Sequence, residues 1–308
     1  MWVGGTREHR SVSVVGVIGL GNIGGAIAGN LVADGLQVTA FDLDPGRMEA
    51  VEGATRAGSI ADVAAAGDVT FTSLPDPRTV TSVATEWAAS APPGAVLCDL
   101  STTLPESNRA IAEQLARSGH RFVEAPLTGG HVGAANRKLV FMVGGEDDAV
   151  ATVLPLLDSL GRATFHLGPV GTGTTMKLAN SLLAFSGAIA AFEAVSLAVT
   201  AGIDVRTATE IVKLSGPTNY FLDRGIEGIN TRGRPTEFSL RLAAKDAGLI
   251  GELGAAQGVP TPVAGAALAF LADAVERGLG EHDWSDLVLE AEARSGIELT
   301  IAPRSEDA

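Results

Sequence analysis

The chain has 308 residues, 46% of them hydrophobic and 19% charged, with a formal net charge of −14. That length and apolar share provide for two domains with a sizeable core. The acidic balance argues against nucleic acid or an anionic membrane as the main partner, since both require a basic surface.

A local cationic pocket for a small anionic substrate remains compatible with that charge. The lone cysteine, Cys98, leaves no disulfide scaffold and points to the cytoplasm. Five scattered histidines show no metal-ligand spacing, so no metal site is expected. Residues 1–10 are polar, without the apolar run of a secretory signal.

In chain order, residues 13–18 form an apolar run that ends in glycines, which reads as a buried strand. A helical pattern over 26–32 and a second strand over 37–41 follow. A helix end at 62–66 precedes a third strand at 69–74, closed by Pro75. Further strands are read at 95–100, 121–125 and 140–143. Helices at 79–89, 105–118 and 149–160 lie between most of them. Strands alternating with helices make βαβ units and a mainly parallel sheet.

Beyond about Gly168 only helical patterns remain, at 174–201, 205–214, 240–258, 261–277 and 285–295. The expected fold class is therefore an α/β Rossmann domain, doubly wound, then a long connecting helix and an all-α C-terminal domain. The boundaries are drawn at 11–170 and 171–302. The long helix reaches bilayer-spanning length. Asn180, Ser181, Ser186, Glu193 and Ser196 interrupt it, which favours burial between domains or subunits over a membrane span. A homo-oligomer through this helix and the helical domain, a dimer or tetramer, is the expectation.

The first strand runs into Gly19-Leu20-Gly21-Asn22-Ile23-Gly24 and then a helix. The bare pattern is weak, but here it has its strand before and helix after. Gly19 permits the tight turn, Gly21 lets backbone approach a pyrophosphate, and Gly24 lets helix and strand pack closely. The helix N-terminus offers N–H groups to phosphate. Asp42 lies 18 residues after Gly24, at the end of the second strand, where a carboxylate meets the adenosine ribose. Its charge repels a 2′-phosphate, which favours NAD over NADP. Arg47 reads as a solvated helix residue, and Asp44 before Pro45 as a helix cap.

The extended glycine motif, continuing through Asn30-Leu31, is the first of a series. Leu74-Pro75, Asp99-Leu-Ser-Thr102-Thr-Leu-Pro105, Ala125-Pro-Leu-Thr128-Gly129-Gly130, Gly171-Thr-Gly-Thr-Thr-Met-Lys177-Leu-Ala-Asn180 and Lys245-Asp246 follow in order. Over residues 12–295 this series resembles the β-hydroxyacid dehydrogenases, the family of 3-hydroxyisobutyrate dehydrogenase and tartronate semialdehyde reductase. The 6-phosphogluconate dehydrogenases and imine reductases are more distant relatives.

The resemblance implies that Leu74, Pro75, Thr79 and Thr102 line the cofactor and that Lys245 reaches it. It implies that Thr128, Gly129 and Gly130 hold a substrate carboxylate, that Lys177 is the catalytic acid/base and that Asn180 hydrogen-bonds the substrate. Phe238 and Asp246 shape the cleft. Many members carry Ser at the position of Thr128. Many also have Asn at the position of Ser181, so either Asn180 or Ser181 could contact the substrate.

The residue types suit that chemistry. Oxidation of a hydroxyl needs a proton acceptor, and a lysine can serve if burial or charge brings its pKa toward operating pH. Asn180 lies one helical turn on, on the same face. A Thr-Gly-Gly loop leaves backbone N–H groups open to a carboxylate. Taken singly, Lys177 reads as a solvated lysine, Lys245-Asp246 as a surface pair and His131 as a loop histidine. Arg137 and Lys138 are either substrate cations or plain surface.

The leading reading is an NAD-dependent dehydrogenase of a small β-hydroxy acid, or of the matching semialdehyde. Two alternatives stand beside it: an NADPH-dependent semialdehyde or imine reductase, and a non-catalytic dinucleotide-binding module. Asp42 weighs against NADP, and Lys177 against the imine reductases, which generally replace that lysine. Lys177 together with an anion nest weighs against a module without turnover.

Overall fold

The computed structural model describes Val12, residues 14–215, Ile229 and residues 232–301. It divides into two compact units, Met1–Lys177 and Leu178–Ala308.

The first unit is built on a nine-stranded sheet. Its strands are β1 (Val14–Ile18), β2 (Gln37–Phe41), β3 (Thr55–Arg56), β4 (Val69–Thr72), β5 (Val96–Asp99), β6 (Arg121–Glu124), β7 (Leu127–Thr128), β8 (Leu139–Gly145) and β9 (Gly161–His166). They lie in the order β3-β2-β1-β4-β5-β6-β8-β7, with β9 paired to β8. From β3 to β6 every pairing is parallel; β8 then runs antiparallel to β6 and β7 and parallel to β9. The helices between strands are α1 (Asn22–Ala33), α2 (Pro45–Glu49), α3 (Ile60–Ala66), α4 (Pro77–Ala88), α5 (Pro105–Arg117), α6 (Gly130–Ala135) and α7 (Asp147–Leu160).

β4 and β5 are buried at every position, Thr70, Thr72 and Asp99 included. One core lies around Val15, Val17, Ile27, Leu31, Phe141 and Leu157. The other lies around Ile18, Val63, Trp87, Leu97, Ile111 and Leu115. Trp87 is fully buried, and its indole N–H donates to Thr70 Oγ1 at 2.9 Å, so no polar atom of the ring is stranded. Asp76 caps α4 by accepting Thr79 N–H at 2.9 Å, and Pro77 opens the helix where its missing N–H costs nothing.

Three strands lie outside the sequence expectation. β3 and β7 are two residues long and are defined by pairing with their neighbours. β9 is an edge strand with no buried residue. The other six fall where the apolar runs place them.

Helix α8 (Thr172–Thr200) starts in the first unit and continues into the second. It is long and apolar enough to cross a membrane by length and composition. Met176, Leu183 and Leu197 are exposed on it, so within the single chain it is not buried all round as its composition implied. Among the described residues beyond it the regular elements are helical: α9 (Val205–Lys213), α10 (Leu240–Gln257), α11 (Pro262–Ala274), one π turn, one 3₁₀ turn and α12 (Leu287–Ser295). Gly258 and Gly296 end α10 and α12 in the left-handed conformation, each at φ +68°.

Candidate active site

The parallel strands reverse their order of succession at β1, with β2 on one side and β4 on the other. Ligands of such sheets bind beyond the strand C-termini at this point. Here β1 runs into the glycine loop. Gly19 has φ +87°, and a Cβ on it would lie 2.3 Å from Ser73 O. A Cβ on Gly24 would lie 1.9 Å from Gly19 O. Above Gly21 there is open space to 4 Å. Two glycines thus close the turn and the helix–strand packing, and the third leaves room for a group that comes close to backbone. This is the cradle a dinucleotide pyrophosphate requires, at the N-terminus of α1. Asn22 is exposed, Ile23 half-buried and the Leu20 side chain buried.

Asp42 follows β2. Its Oδ2 accepts Leu20 N–H at 2.7 Å and its Oδ1 accepts Asp44 N–H at 2.9 Å. Arg47 lies 3.6 Å from Oδ2. The carboxylate is therefore tied to the glycine loop and keeps further lone pairs for another donor. Arg47 is its ion partner, a contact the sequence reading did not expect.

The C-terminal ends of β1, β4, β5 and β6 form one register row: Ile18 opposite Thr72, Thr72 opposite Asp99, Asp99 opposite Glu124. Asp99 and Glu124 are both fully buried. Asp99 Oδ1 accepts from Thr72 Oγ1 at 2.7 Å and from Ser101 Oγ at 2.7 Å. Ser101 Oγ in turn accepts Leu74 N–H at 2.9 Å. Asp99 thereby fixes the two loops that carry Leu74-Pro75 and Thr102. Burial raises its carboxyl to about 6, against the pull of the Ser101 and Thr72 hydrogen bonds, and the charge of Glu124 adds to the rise. Pro75 is exposed and Thr102 half-buried. The Thr79 hydroxyl donates to Asp76 at 2.8 Å.

Thr128 ends β7, half-buried, and Gly129 and Gly130 follow at φ +123° and +63°. Nothing in the protein lies within 4 Å of a Cβ on Gly130. The loop leads into α6, which is bound to α1: a His131 Nδ1 to Asn22 O contact measures 3.0 Å, and Asn30 Nδ2 donates to Ala134 O at 2.8 Å. His131 is thus accounted for by backbone of the glycine loop. Arg137, at φ +56°, bonds Asp34, Ser159 O and Asn30 O, which makes it a clamp between α1, α6 and α7. Lys138 is exposed.

Lys177 lies in the second turn of α8 and is half-buried. Asn180, also half-buried, shares its helical face, whereas Ser181 is 3% exposed. In the second unit, Lys245 pairs with the buried Asp246 at 2.9 Å. The Phe238 ring stacks on Phe185 at 6.5 Å between centroids. Phe238 N–H and Glu237 N–H donate to Asp283. Burial works against the charge of Asp283, but hydrogen bonds from Ser285, Arg234 and this backbone outweigh it and hold the carboxyl below its usual range. Among the described residues no group of three or more His, Cys, Asp or Glu could hold a metal.

A doubly wound sheet with a glycine cradle at its switch point defines a dinucleotide-binding protein of the Rossmann class. Residues 14–168 match the model of the NAD binding domain of 6-phosphogluconate dehydrogenase. Residues 171–290 match that of the NAD-binding region of NADP-dependent 3-hydroxyisobutyrate dehydrogenase. The chain belongs to the β-hydroxyacid dehydrogenase family.

It is 32% identical to 2-(hydroxymethyl)glutarate dehydrogenase of Eubacterium barkeri, over 93% of this chain and 97% of the relative. It is 31% identical to NAD-dependent L-serine dehydrogenase of Pseudomonas aeruginosa, over 88% of this chain and 95% of the relative. A solved structure of Mycobacterium tuberculosis 3-hydroxyisobutyrate dehydrogenase with L-serine superposes with a TM-score of 0.80 at 25% identity, covering 91% of this chain and 99% of that one.

Proposed function

We propose that this chain oxidises a small β-hydroxy acid with NAD, or reduces the matching semialdehyde, with Lys177 as general acid/base. When bound, the dinucleotide supplies the hydride acceptor, and the protein must handle the proton. Lys177 Nζ takes that proton from the substrate hydroxyl and returns it to the carbonyl oxygen in reduction. Asn180, with Ser181 one position on, orients the reacting oxygen from the same helix. Thr128, Gly129 and Gly130 bind the substrate carboxylate through the Thr hydroxyl and backbone N–H groups. Phe238 and Asp246 contribute to substrate fit.

Gly19, Leu20, Gly21, Asn22, Ile23 and Gly24 carry the pyrophosphate, Asp42 the ribose. Leu74, Pro75, Thr79, Thr102 and Lys245 line the remainder of the cofactor. We further assign the protein to the cytoplasm, with domains at 11–170 and 171–302. We also assign a homo-oligomer joined through α8, supported by Met176, Leu183 and Leu197 exposed on that helix.

The observation that carries the reading is the open space above Gly21 between two glycines that admit no side chain, with Asp42 bonded to the same loop. The test is absorbance of reduced nicotinamide with a panel of 3-hydroxy acids, NAD and NADP offered separately. Turnover of a short member with NAD is the expected result, and Lys177→Ala is expected to abolish most of it. An unchanged rate in that variant would overturn the role of Lys177.

A further inference from the structure

The buried carboxylate of Glu124 has no part in the chemistry above, yet three of its four hydrogen bonds come from Gly171 and Thr174 at the start of α8, and the fourth comes from Asn108 on α5. Its Oε1 accepts Gly171 N–H at 2.7 Å and Thr174 N–H at 3.1 Å. Its Oε2 accepts Thr174 Oγ1 at 2.9 Å and Asn108 Nδ2 at 2.6 Å. Asn108 also donates to Thr174 Oγ1 at 2.9 Å and accepts from Thr103 Oγ1 at 2.8 Å. Glu124, Asn108, Thr103 and Thr174 are each 0% exposed.

Helix N-termini leave N–H groups without intrahelical partners and carry a partial positive charge. Here the stopper is a strand-end carboxylate rather than a local side-chain cap. Gly144 makes room for it, since a Cβ there would lie 2.5 Å from Glu124 Oε1; Gly173 lets the helix approach β8, since a Cβ there would lie 2.3 Å from Met142 O. The first turn of α8 is thus pressed against β8 and bonded to β6. Lys177 stands three residues beyond Thr174, on the same face.

We propose that Glu124 is a positioning residue, which fixes the first turn of α8 and through it the Lys177 side chain. The proposal rests on the reading of Lys177 as the acid/base. Charge-assisted, fully buried hydrogen bonds are the strong ones, and their geometry is over-determined by four donors. A displacement on the order of 1 Å at a catalytic group can cost about 100-fold in rate. Binding of NAD at the glycine loop uses none of these bonds.

The experiment compares Glu124→Gln, Glu124→Asp, Thr174→Val and Lys177→Ala, and Glu124→Gln combined with Lys177→Ala. Amide hydrogen exchange over residues 169–178 needs no substrate. Faster exchange there in Glu124→Gln and in Thr174→Val is expected, with the Rossmann strands unchanged; exchange unchanged in both would overturn the proposal.

Steady-state reduction of NAD with 3-hydroxyisobutyrate gives the second readout. Glu124→Gln is expected to lower kcat about 10–100-fold with the NAD dissociation constant within about two-fold and KM moved less than kcat. Glu124→Asp is expected to recover part of that loss. In the Lys177→Ala background, Glu124→Gln is expected to cost almost nothing more, because residues that act as a unit are not additive. An equal cost in both backgrounds would overturn the positioning role while Lys177 stands. A Lys177→Ala enzyme as fast as the parent would overturn the role of Lys177 itself. Should Glu124→Gln fail to fold, Thr174→Val, which removes one hydroxyl, carries the same two readouts.

Discussion

Asp99 and Glu124 are register partners at the C-terminal ends of β5 and β6, two fully buried carboxyl groups side by side in one sheet. They differ in partners. Glu124 accepts four hydrogen bonds, whereas Asp99 Oδ2 has none. Burial of a charge without full compensation is costly, and the group responds by holding its proton. Asp99 does so.

A pH dependence follows from the direction of that shift. The Asp99 carboxyl sits at about 6 in the folded chain against 3.8 unfolded. The folded state therefore binds the proton more tightly. Its stabilisation is complete below pH 4 and is lost as pH rises through 6, roughly 3 kcal/mol over the whole span. Asp99→Asn keeps the acceptor for Thr72 and Ser101 and removes the titration. Urea unfolding is expected to show the variant gaining on the parent by about 1 kcal/mol or slightly more between pH 5 and 8. Parallel pH curves for the two proteins would rule out this account of Asp99.

The glycines of the loop separate fold from binding. A Cβ at Gly24 collides with Gly19 O, whereas one at Gly21 meets nothing, and Gly21 has an ordinary φ of −64°. Gly24→Ala is expected to destabilise the apo protein by roughly 1–3 kcal/mol, as overpacking does. Gly21→Ala is expected to leave unfolding within about 0.5 kcal/mol and to weaken NAD binding about ten-fold or more, on the order of 1.4 kcal/mol. Denaturant titrations and calorimetry with NAD on both variants check this. A stable Gly21→Ala protein with parental NAD affinity would show that the pyrophosphate lies elsewhere.

On the proposed placement of Asp42 at the ribose, cofactor choice is expected to turn on Asp42 and Arg47. The carboxylate repels a 2′-phosphate, and its ion partner at 3.6 Å would attract one once released. Asp42→Ser is expected to raise the NADP-to-NAD ratio of kcat/KM about 10–100-fold, 1.4–2.7 kcal/mol in order of magnitude. Adding Arg47→Ala is expected to remove most of that gain. Steady-state kinetics with both cofactors decides it, and an unchanged ratio in Asp42→Ser would remove Asp42 from the ribose site.

The sequence speaks clearly where one residue type has one physical use. The run Val14–Ile18 into Gly19 could only be a buried strand meeting a tight turn, and it is. Strand β9 was invisible because Gly161–His166 is a half-polar edge whose strand state comes from pairing with β8. Likewise β7 exists only through Leu127 and Thr128 opposite Phe141 and Val140. The Glu124 network joins residues 103, 108, 124, 171 and 174, and no local spacing links them. The one signal was an acidic residue set between Phe122-Val123 and Ala125-Pro126, since a charge inside an apolar run must find partners. The register row at the strand ends supplies the rest, because parallel pairing is a property of the sheet and not of any segment.

The Thr128 loop, proposed to hold the substrate carboxylate, yields the last prediction. Thr128 stands at the end of β7, and α6 behind it is held to α1 at Asn22 and Asn30. A ground-state contact to a substrate carboxylate acts on KM, while loss of a transition-state contact lowers kcat. Thr128→Ser keeps the hydroxyl and is expected to retain parental KM within about three-fold, under 1 kcal/mol. Thr128→Val keeps the shape and loses the donor, so KM for the hydroxy acid is expected to rise about ten-fold with kcat nearly unchanged, on the order of 1.4 kcal/mol. His131→Phe, which breaks the tie to Asn22, is expected to raise KM for both NAD and the hydroxy acid, because the two loops share that bond. The set is read from initial rates with each substrate varied. A Thr128→Val enzyme that loses kcat while keeping KM would move this residue from carboxylate binding to the reacting centre.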